Sequence, residues 1–236
     1  MNRQPAMCCG GRVDCVGCDI RPLALCGALE PEQVYAMSSI AHPRKIDAGK
    51  QLMQEGDPAD DVFTLTEGML KVYKLMPDGR RQITGFMIPG DFVGLAYGSS
   101  YVYSAEAVVP SSACRFQRTR LLERMVDFPE LEHRLLSLAS NELAAAQSQM
   151  LLLGRKSARE RLASFIYGLS QRRGIGEGEI MPLPMSRNDI ADFLGLTIET
   201  VSRIFTMMRK ERLISLPDKH SVLIENAGAL RKAAGD

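Results

Sequence analysis

Five of the six cysteines in this chain crowd into its first 26 residues, at Cys8, Cys9, Cys15, Cys18 and Cys26, while Cys114 stands alone far downstream. Cys15 and Cys18 are separated by two residues, a gap that lets two thiolates bend onto one centre, and Cys26 follows after seven more. A fourth thiolate from Cys114 would complete a four-cysteine cage spanning two distant parts of the chain. A centre held in that way reports its condition to whatever follows Cys114, which gives the arrangement the character of a sensor. On the cysteines alone, structural zinc, an iron–sulfur centre and three disulfide bridges are all open.

The 236 residues suffice for one large domain or two modest ones, and the apolar and charged fractions are those of a globular protein. No stretch approaches the roughly 18 consecutive apolar residues of a membrane span, and the N-terminus has no long apolar run. The expected location is therefore the cytoplasm, with no membrane partner. A reducing cytoplasm favours metal binding or redox sensing over structural disulfides. The formal net charge of +1 hides an asymmetry. Residues 1–154 carry 15 basic and 18 acidic side chains, residues 155–236 carry 14 and 10, so the C-terminal third is the basic part. A polyanionic partner suits that third, although many solvated surfaces share its balance.

Residues 44–118 read as short strands punctuated by turns. Val62-Phe63-Thr64-Leu65 and Leu70-Lys71-Val72-Tyr73 have β-branched and aromatic character, Pro77-Asp78-Gly79 is a hairpin signal, and Pro89-Gly90-Asp91 breaks the next strand. Strands at this spacing predict a compact β-roll or barrel. The period then changes. Asp127-Phe128-Pro129 opens a helix, and Leu136, Ala139, Leu143, Ala146, Met150 and Leu153 recur at alternating steps of three and four, a coiled-coil seam. Ala144, Ala145 and Ala146 permit close helix approach, and a second apolar edge of Leu135, Leu138 and Leu152 is available to the β-roll. Two useful faces favour dimerisation over a helix that merely packs on its own domain.

A further helix is expected over Ala158–Arg172, then a glycine-rich connection. Ser186-Arg187-Asn188-Asp189 is a helix start in which the serine oxygen caps a backbone N–H and the acid favours the positive helix end. Gly195 ends that helix and Thr197 caps another running to about Arg212, the helix-turn-helix pattern. Ile214–Leu216 and Val222–Ile224 flank Pro217-Asp218-Lys219-His220 as a hairpin wing. On the second helix Glu199, Ser202 and Arg203 share one face at i, i+3 and i+4, in the turns that enter a major groove of double-stranded DNA. Arginine can bond guanine bidentately, glutamate can accept from cytosine, and serine discriminates less. The plain alternative is an exposed Glu199–Arg203 ion pair worth a few tenths of a kcal/mol. Arg187, Arg209 and Lys210 fit phosphate contacts or solvated charges better than base readers.

Taken together, the N-terminal cysteines, Gln82-Ile83-Thr84-Gly85-Phe86, Pro89-Gly90-Asp91, Met150-Leu151-Leu152-Leu153 and Glu199-Thr200-Val201-Ser202-Arg203 resemble the catabolite-activator-type bacterial regulators. The closer likeness is to their oxygen-sensing branch, the fumarate and nitrate reductase regulators, and it covers nearly the whole chain. The resemblance implies an α+β fold: a cysteine-rich segment (1–30), a cyclic-nucleotide-binding-type β-roll (31–126), a long dimerisation helix (127–154) and a C-terminal winged helix-turn-helix (155–236). It implies an oxygen-labile [4Fe-4S] cluster on Cys15, Cys18, Cys26 and Cys114, with Cys8 and Cys9 outside the ligand set. It further implies a homodimer when the cluster is bound, a TTGAT-type palindrome as target, and RNA polymerase contact through Gln82–Phe86, read as a loop of the β-roll.

One departure from that family pattern bears on ligands. Cyclic-nucleotide-binding relatives use a glutamate and an Arg-Ser or Arg-Thr pair, whereas the matching stretches here are Gly94-Leu95 and Tyr103-Ser104-Ala105. Tyrosine cannot replace a guanidinium's bidentate grip on phosphate, so no cyclic nucleotide is expected. An electron carrier or enzyme would leave the recognition helix unexplained. His42, His133 and His220 are scattered and no phosphate-cradling loop is present, so no catalytic site can be assembled.

Overall fold

The computed structural model describes residues 7–8, 12–13, 15–96 and 98–235. Cys9 and the side chain of Cys8 lie outside the described residues, and with them the reading of that pair as non-ligands. Two short strands, β1 (Met7–Cys8) and β2 (Arg12–Val13), precede a 3-10 turn (Leu25–Ala28) and α1 (Pro31–Ser38). Eight strands follow: β3 (Ala41–Ile46), β4 (Gln51–Met53), β5 (Asp61–Glu67), β6 (Leu70–Leu75), β7 (Arg81–Met87), β8 (Phe92–Val93), β9 (Ser104–Ala107) and β10 (Ser111–Gln117). Helices α2 (Arg118–Asp127), α3 (Pro129–Arg155) and α4 (Ala158–Arg173) come next. The chain ends with β11 (Ile180–Pro182), α5 (Arg187–Leu194), α6 (Ile198–Lys210), β12 (Ile214–Ser215), β13 (Ser221–Ile224) and α7 (Ala227–Ala234). Two compact units result, one of Met1–Lys74 with Thr84–Ala144, the other of Leu75–Ile83 with Ala145–Asp236.

The strands of the β-roll form two four-stranded sheets, ordered β3-β10-β5-β8 and β4-β9-β6-β7. Val62, Phe63, Thr64 and Leu65 are all buried, so β5 is a strand covered on both faces and reads as a continuous apolar run. The first strand is less legible. β3 opens at Ala41, ahead of the expected start, and its burial runs inward only at its two ends. Pro43 lies within it, opposite Cys114 of β10. Because β3 is the edge of its sheet, a residue without an N–H is tolerated there. The Asp91 carboxylate accepts from the Ile88 N–H at 2.8 Å and closes the turn that carries Gly90 at φ +100°.

Helix α2 was not signalled by the strand-like reading that preceded it; Leu121 and Met125, one turn apart, are its buried positions. Helix α3 runs 27 residues from its leading proline. Its Leu131 is fully buried, and Leu135 and Leu138 pack against a core that includes Val34, Met37, Phe116 and Leu121. Leu152, on the part of α3 that belongs to the second unit, is also buried.

In that second unit α4 starts at a capping box, where Ser157 and Glu160 satisfy each other's backbone N–H groups, and stops at Gly174 with φ 64°. The anticipated wing is present as the antiparallel pair β12–β13, extended by β11 into a three-stranded sheet.

Gly68, with φ +87° between β5 and β6, would place a Cβ 2.3 Å from Ser111 Oγ and 2.7 Å from the Pro110 carbonyl oxygen. Both the backbone conformation and the space exclude a side chain. Gly68→Ala is expected to lower stability by about 2–4 kcal/mol, measured as a shift of the urea midpoint at constant m.

Candidate cysteine centre and nucleic-acid interface

Cys114 lies on β10 between β3 and β5, paired opposite Pro43 on one side and Thr64 on the other. A residue held in a ladder on both sides cannot be repositioned without opening the sheet. Cys15 and Cys114 are both buried members of one apolar cluster, against which Cys26 packs half-buried, and Cys18 is half-buried too. All four are free thiols. Burial, and then the neighbouring Cys15, Cys18 and Cys26, push the Cys114 thiol up to about 12. Burial, and then Cys18, push Cys26 up to about 11, opposed by its own backbone N–H and by Arg21 and Arg134. The Cys114 thiol feels the other three, which brings the four predicted residues into one neighbourhood. Among the described residues no group of three or more His, Cys, Asp or Glu side chains closes far enough to hold a metal ion.

The segment between Cys18 and Cys26 is wound into turns. The Arg21 N–H donates to the Cys18 carbonyl at 3.1 Å, and the Leu23 and Ala24 N–H groups donate to Ile20. Gly27 is required where the segment folds onto itself, since a Cβ there would stand 2.4 Å from the Arg21 carbonyl oxygen.

Of the two stretches expected to match a cyclic-nucleotide grip, Gly94-Leu95 and Tyr103-Ser104-Ala105, the second opens on a phenol. The hydroxyl of the half-buried Tyr103 accepts from the Gly94 N–H at 3.2 Å, and burial pushes this phenol up to about 12. Tyr101 donates to the Asp61 carbonyl at 2.7 Å, and its ring edge stands 3.3 Å from where a Cβ on Gly94 would lie. Ser104 accepts from the Glu55 N–H at 3.0 Å.

The DNA-facing geometry follows from caps. Ser186 and Asp189 form the predicted capping box of α5, Gly195 closes it at φ 61°, and Thr197 accepts from the Thr200 N–H to start α6. Val201, Ile204, Phe205 and Met208 are buried, which turns Ser202, Arg203, Thr206, Arg209 and Lys210 outward. Ser202, Arg203, Thr206, Met207 and Lys210 line a shallow open depression along that face. Glu199, also exposed, is held below the usual carboxylate range first by its own backbone N–H and next by Thr197, with Arg203 a weaker influence. The predicted base-reading trio is presented together on one exposed face.

Two side chains have other roles than the sequence predicts. Arg187 lies with its guanidinium 3.5 Å over the Phe205 ring, where burial lowers its pKa, and so joins α5 to α6 instead of standing in solvent. Gln82–Phe86, read as a loop, lies in β7 at the edge of its sheet. Its Ile83 and Phe86 are buried, Thr84 donates to the Val72 carbonyl, and Gln82 donates to the Asp192 carbonyl at 2.7 Å. Beside it Arg81 reaches Asp189 at 2.9 Å and Asp192 at 2.7 Å, fastening α5 within the second unit. Neither contact has a sequence signal, because both partners are distant in the chain.

Residues 43–127 match the cyclic nucleotide-binding domain family, and residues 160–233 match the Crp-like helix-turn-helix domain family. The chain is 45% identical over 209 residues to the transcriptional activatory protein AadR of Rhodopseudomonas palustris, covering 87% of each. It is 35% identical to the transcriptional activator protein FnrL of Cereibacter sphaeroides, covering 94% of this chain and 92% of that one. Among solved structures, FixK2 from Bradyrhizobium japonicum superposes with a TM-score of 0.78 at 34% identity, over 82% of this chain and 97% of that one. No helix among the described residues is long and apolar enough to cross a membrane.

Removing the guanidinium from the α5–α6 contact by Arg187→Ala is expected to cost about 1 kcal/mol in thermal or urea unfolding, and to weaken binding to specific and unrelated DNA alike. A phosphate contact would leave stability unchanged and reduce the salt dependence of binding instead. With a β-roll, a capped helix-turn-helix and whole-length relatives that are transcription activators, this chain belongs to the CRP/FNR family and is a DNA-binding transcription regulator, not an enzyme.

Proposed function

We propose that this regulator senses oxygen through a [4Fe-4S] cluster held by Cys15, Cys18, Cys26 and Cys114, and that it pairs and binds a TTGAT-type palindrome when oxygen is scarce. The observation that carries this reading is the neighbourhood of four thiols, three from the leading segment and one from a central strand: Cys15 and Cys114 lie in the core on which α3 packs, Cys26 packs against it, and Cys18 is half-buried within electrostatic reach of Cys114. Four thiols are the soft donor set that iron–sulfur clusters use. When bound, such a cluster supplies an oxygen-labile cross-link among the four sulfurs.

The chain's own residues supply the rest. On α3, Leu136, Leu143 and Met150 stand 66%, 61% and 65% exposed at seven-residue intervals, the stripe of a two-stranded seam. A second copy of the chain would cover that stripe and set two α6 helices one DNA turn apart on a palindrome. Glu199, Ser202 and Arg203 would read base edges, and Lys210 and Arg209 are placed for phosphates. The edge strand β7, with Thr84 exposed, is the surface proposed for RNA polymerase. With phenols in place of a charged grip, Tyr101 and Tyr103 leave no arginine to hold a cyclic phosphate.

Protein purified without air is expected to contain iron and sulfide, to absorb in the visible, and to shift a TTGAT palindrome. On exposure to air both the colour and the shift should be lost. A colourless, zinc-containing protein, or DNA affinity indifferent to the loss of iron, would overturn the sensor. Arg203→Ala is expected to cost about 1–3 kcal/mol of binding and to relax discrimination at one base pair. A uniform loss across all sequences would instead make Arg203 a phosphate contact.

A further inference from the structure

We propose that Arg134 is a positioning residue that ties the folded cysteine segment to α3, so that pairing through the opposite side of this helix depends on the segment being in place. The inference rests on the cluster reading above and adds to it the link between sensor and helix. The Arg134 guanidinium donates to three consecutive carbonyls of the segment: Leu23 at 2.8 Å and Pro22 at 3.3 Å from Nη2, and Ala24 at 3.3 Å from Nε. Three neighbouring carbonyls converge on one fork only while residues 20–24 are wound as turns. An extended chain would point successive carbonyls in opposite directions. Arg134 therefore recognises a conformation of the segment, and it does so midway between Cys18 and Cys26.

Apolar burial alone does not hold this point. Leu23 is 60% exposed, in contrast to the fully buried Ala24 beside it. Its backbone oxygen is taken by Arg134, while its Cβ rests against Gly90, where an added Cβ would come within 2.6 Å. The turn that carries Gly90 is itself closed by Asp91. Leu23 is thus held from two sides, by the long helix and by the β-roll. A lysine would have to reach all three carbonyls from a single nitrogen, without the spread between Nε and Nη2 that the guanidinium uses here.

The position of Arg134 on α3 gives the contact its consequence. With Leu131, Leu135 and Leu138 it shares the side of the helix that packs on the core holding Cys15 and Cys114. Leu136, the first residue of the exposed stripe, is two residues on, about 200° around the axis. Within the first unit, one helix therefore carries the segment on one side and Leu136 and Leu143 of the stripe on the other. Release of the segment removes three charge-assisted hydrogen bonds and leaves a half-buried guanidinium to find new partners, which favours a shift of this end of the helix.

The test uses the full chain with Arg134→Gln and, as the conservative variant, Arg134→Lys. In metal-free protein kept under reducing, anaerobic conditions, alkylation by iodoacetamide is followed at each cysteine by peptide mass spectrometry. Arg134→Gln is expected to speed modification of Cys18 and Cys26 roughly five-fold or more while Cys114 keeps its rate, and Arg134→Lys to restore part of the protection. Unchanged rates at Cys18 and Cys26 would overturn the proposal, as would equal acceleration at Cys114 with a lowered Tm, which marks general loosening. The dimer dissociation constant is then measured by sedimentation before and after reconstitution with iron and sulfide. The link predicts a cluster-dependent gain in pairing reduced about ten-fold in Arg134→Gln relative to wild type. An undiminished gain would also overturn it. If the wild type takes up no iron and sulfide, the sensor reading falls, and the alkylation rates alone decide whether Arg134 holds the segment.

Discussion

A thiol in the middle of a sheet cannot go to meet its partners, and the first unit is organised around that restriction. Cys114 is laddered to β3 and β5 at once, so its position is set by the β-roll. Everything that brings the other cysteines near it must act on the leading segment. The 3-10 turn buries Leu25, Gly27 lets the chain cross Arg21, and α1 closes the cluster with Val34 and Met37. The sheet provides a fixed point, and the segment provides a part that can be released.

The second unit solves a different problem with local chemistry. A short helix has little propensity to form alone, so α5 and α6 depend on their ends and on each other. Serine, aspartate, glycine and threonine stand where the orphan backbone groups of both helices need them. Phe205 and Arg187 lock the angle between the two helices, and Arg81 with Asp189 and Asp192 fixes the outer side of α5. The recognition face is therefore rigid before DNA arrives, which lowers the ordering cost of binding.

The features legible in the sequence were those governed by local rules. The Ser-x-x-Asp cap, the Gly195 stop and the Pro-Asp-Gly hairpin need only a few adjacent residues, and all three stand where they were read. The period of α3 was equally plain. What escaped was decided by distant partners. β3 is polar and carries a proline, so nothing in Ala41–Ile46 marks it as a strand until β10 lies beside it. Arg187 looked like a phosphate contact or a solvated charge because sequence shows charge but not the aromatic ring it covers. Gln82–Phe86 looked like a loop because its glycine and polar residues show no two-residue alternation, and its buried Ile83 and Phe86 are three positions apart. Cys15, Cys18 and Cys26 stood out by spacing, and Cys114 joined them as the proposed fourth thiol, whereas Arg134 carried no signal, since carbonyl acceptors have no sequence identity.

The composition of the exposed stripe on α3 fits a helix whose pairing is conditional. Of the six seam positions, Leu136, Leu143, Met150 and Leu153 are large while Ala139 and Ala146 contribute little apolar area, so a third of the seam is diluted. A seam of leucine and isoleucine at every position would pair permanently, whatever the state of the leading segment. A seam too weak ever to form would leave nothing to regulate. Control requires that the signal-bearing part differ in free energy between the paired and unpaired states by an amount comparable with the pairing itself. An alanine-diluted stripe brings pairing down to the scale of a few hydrogen bonds and one ordered segment. On the proposed reading, the small residues at the centre of α3 are therefore as much a part of the sensor as the cysteines.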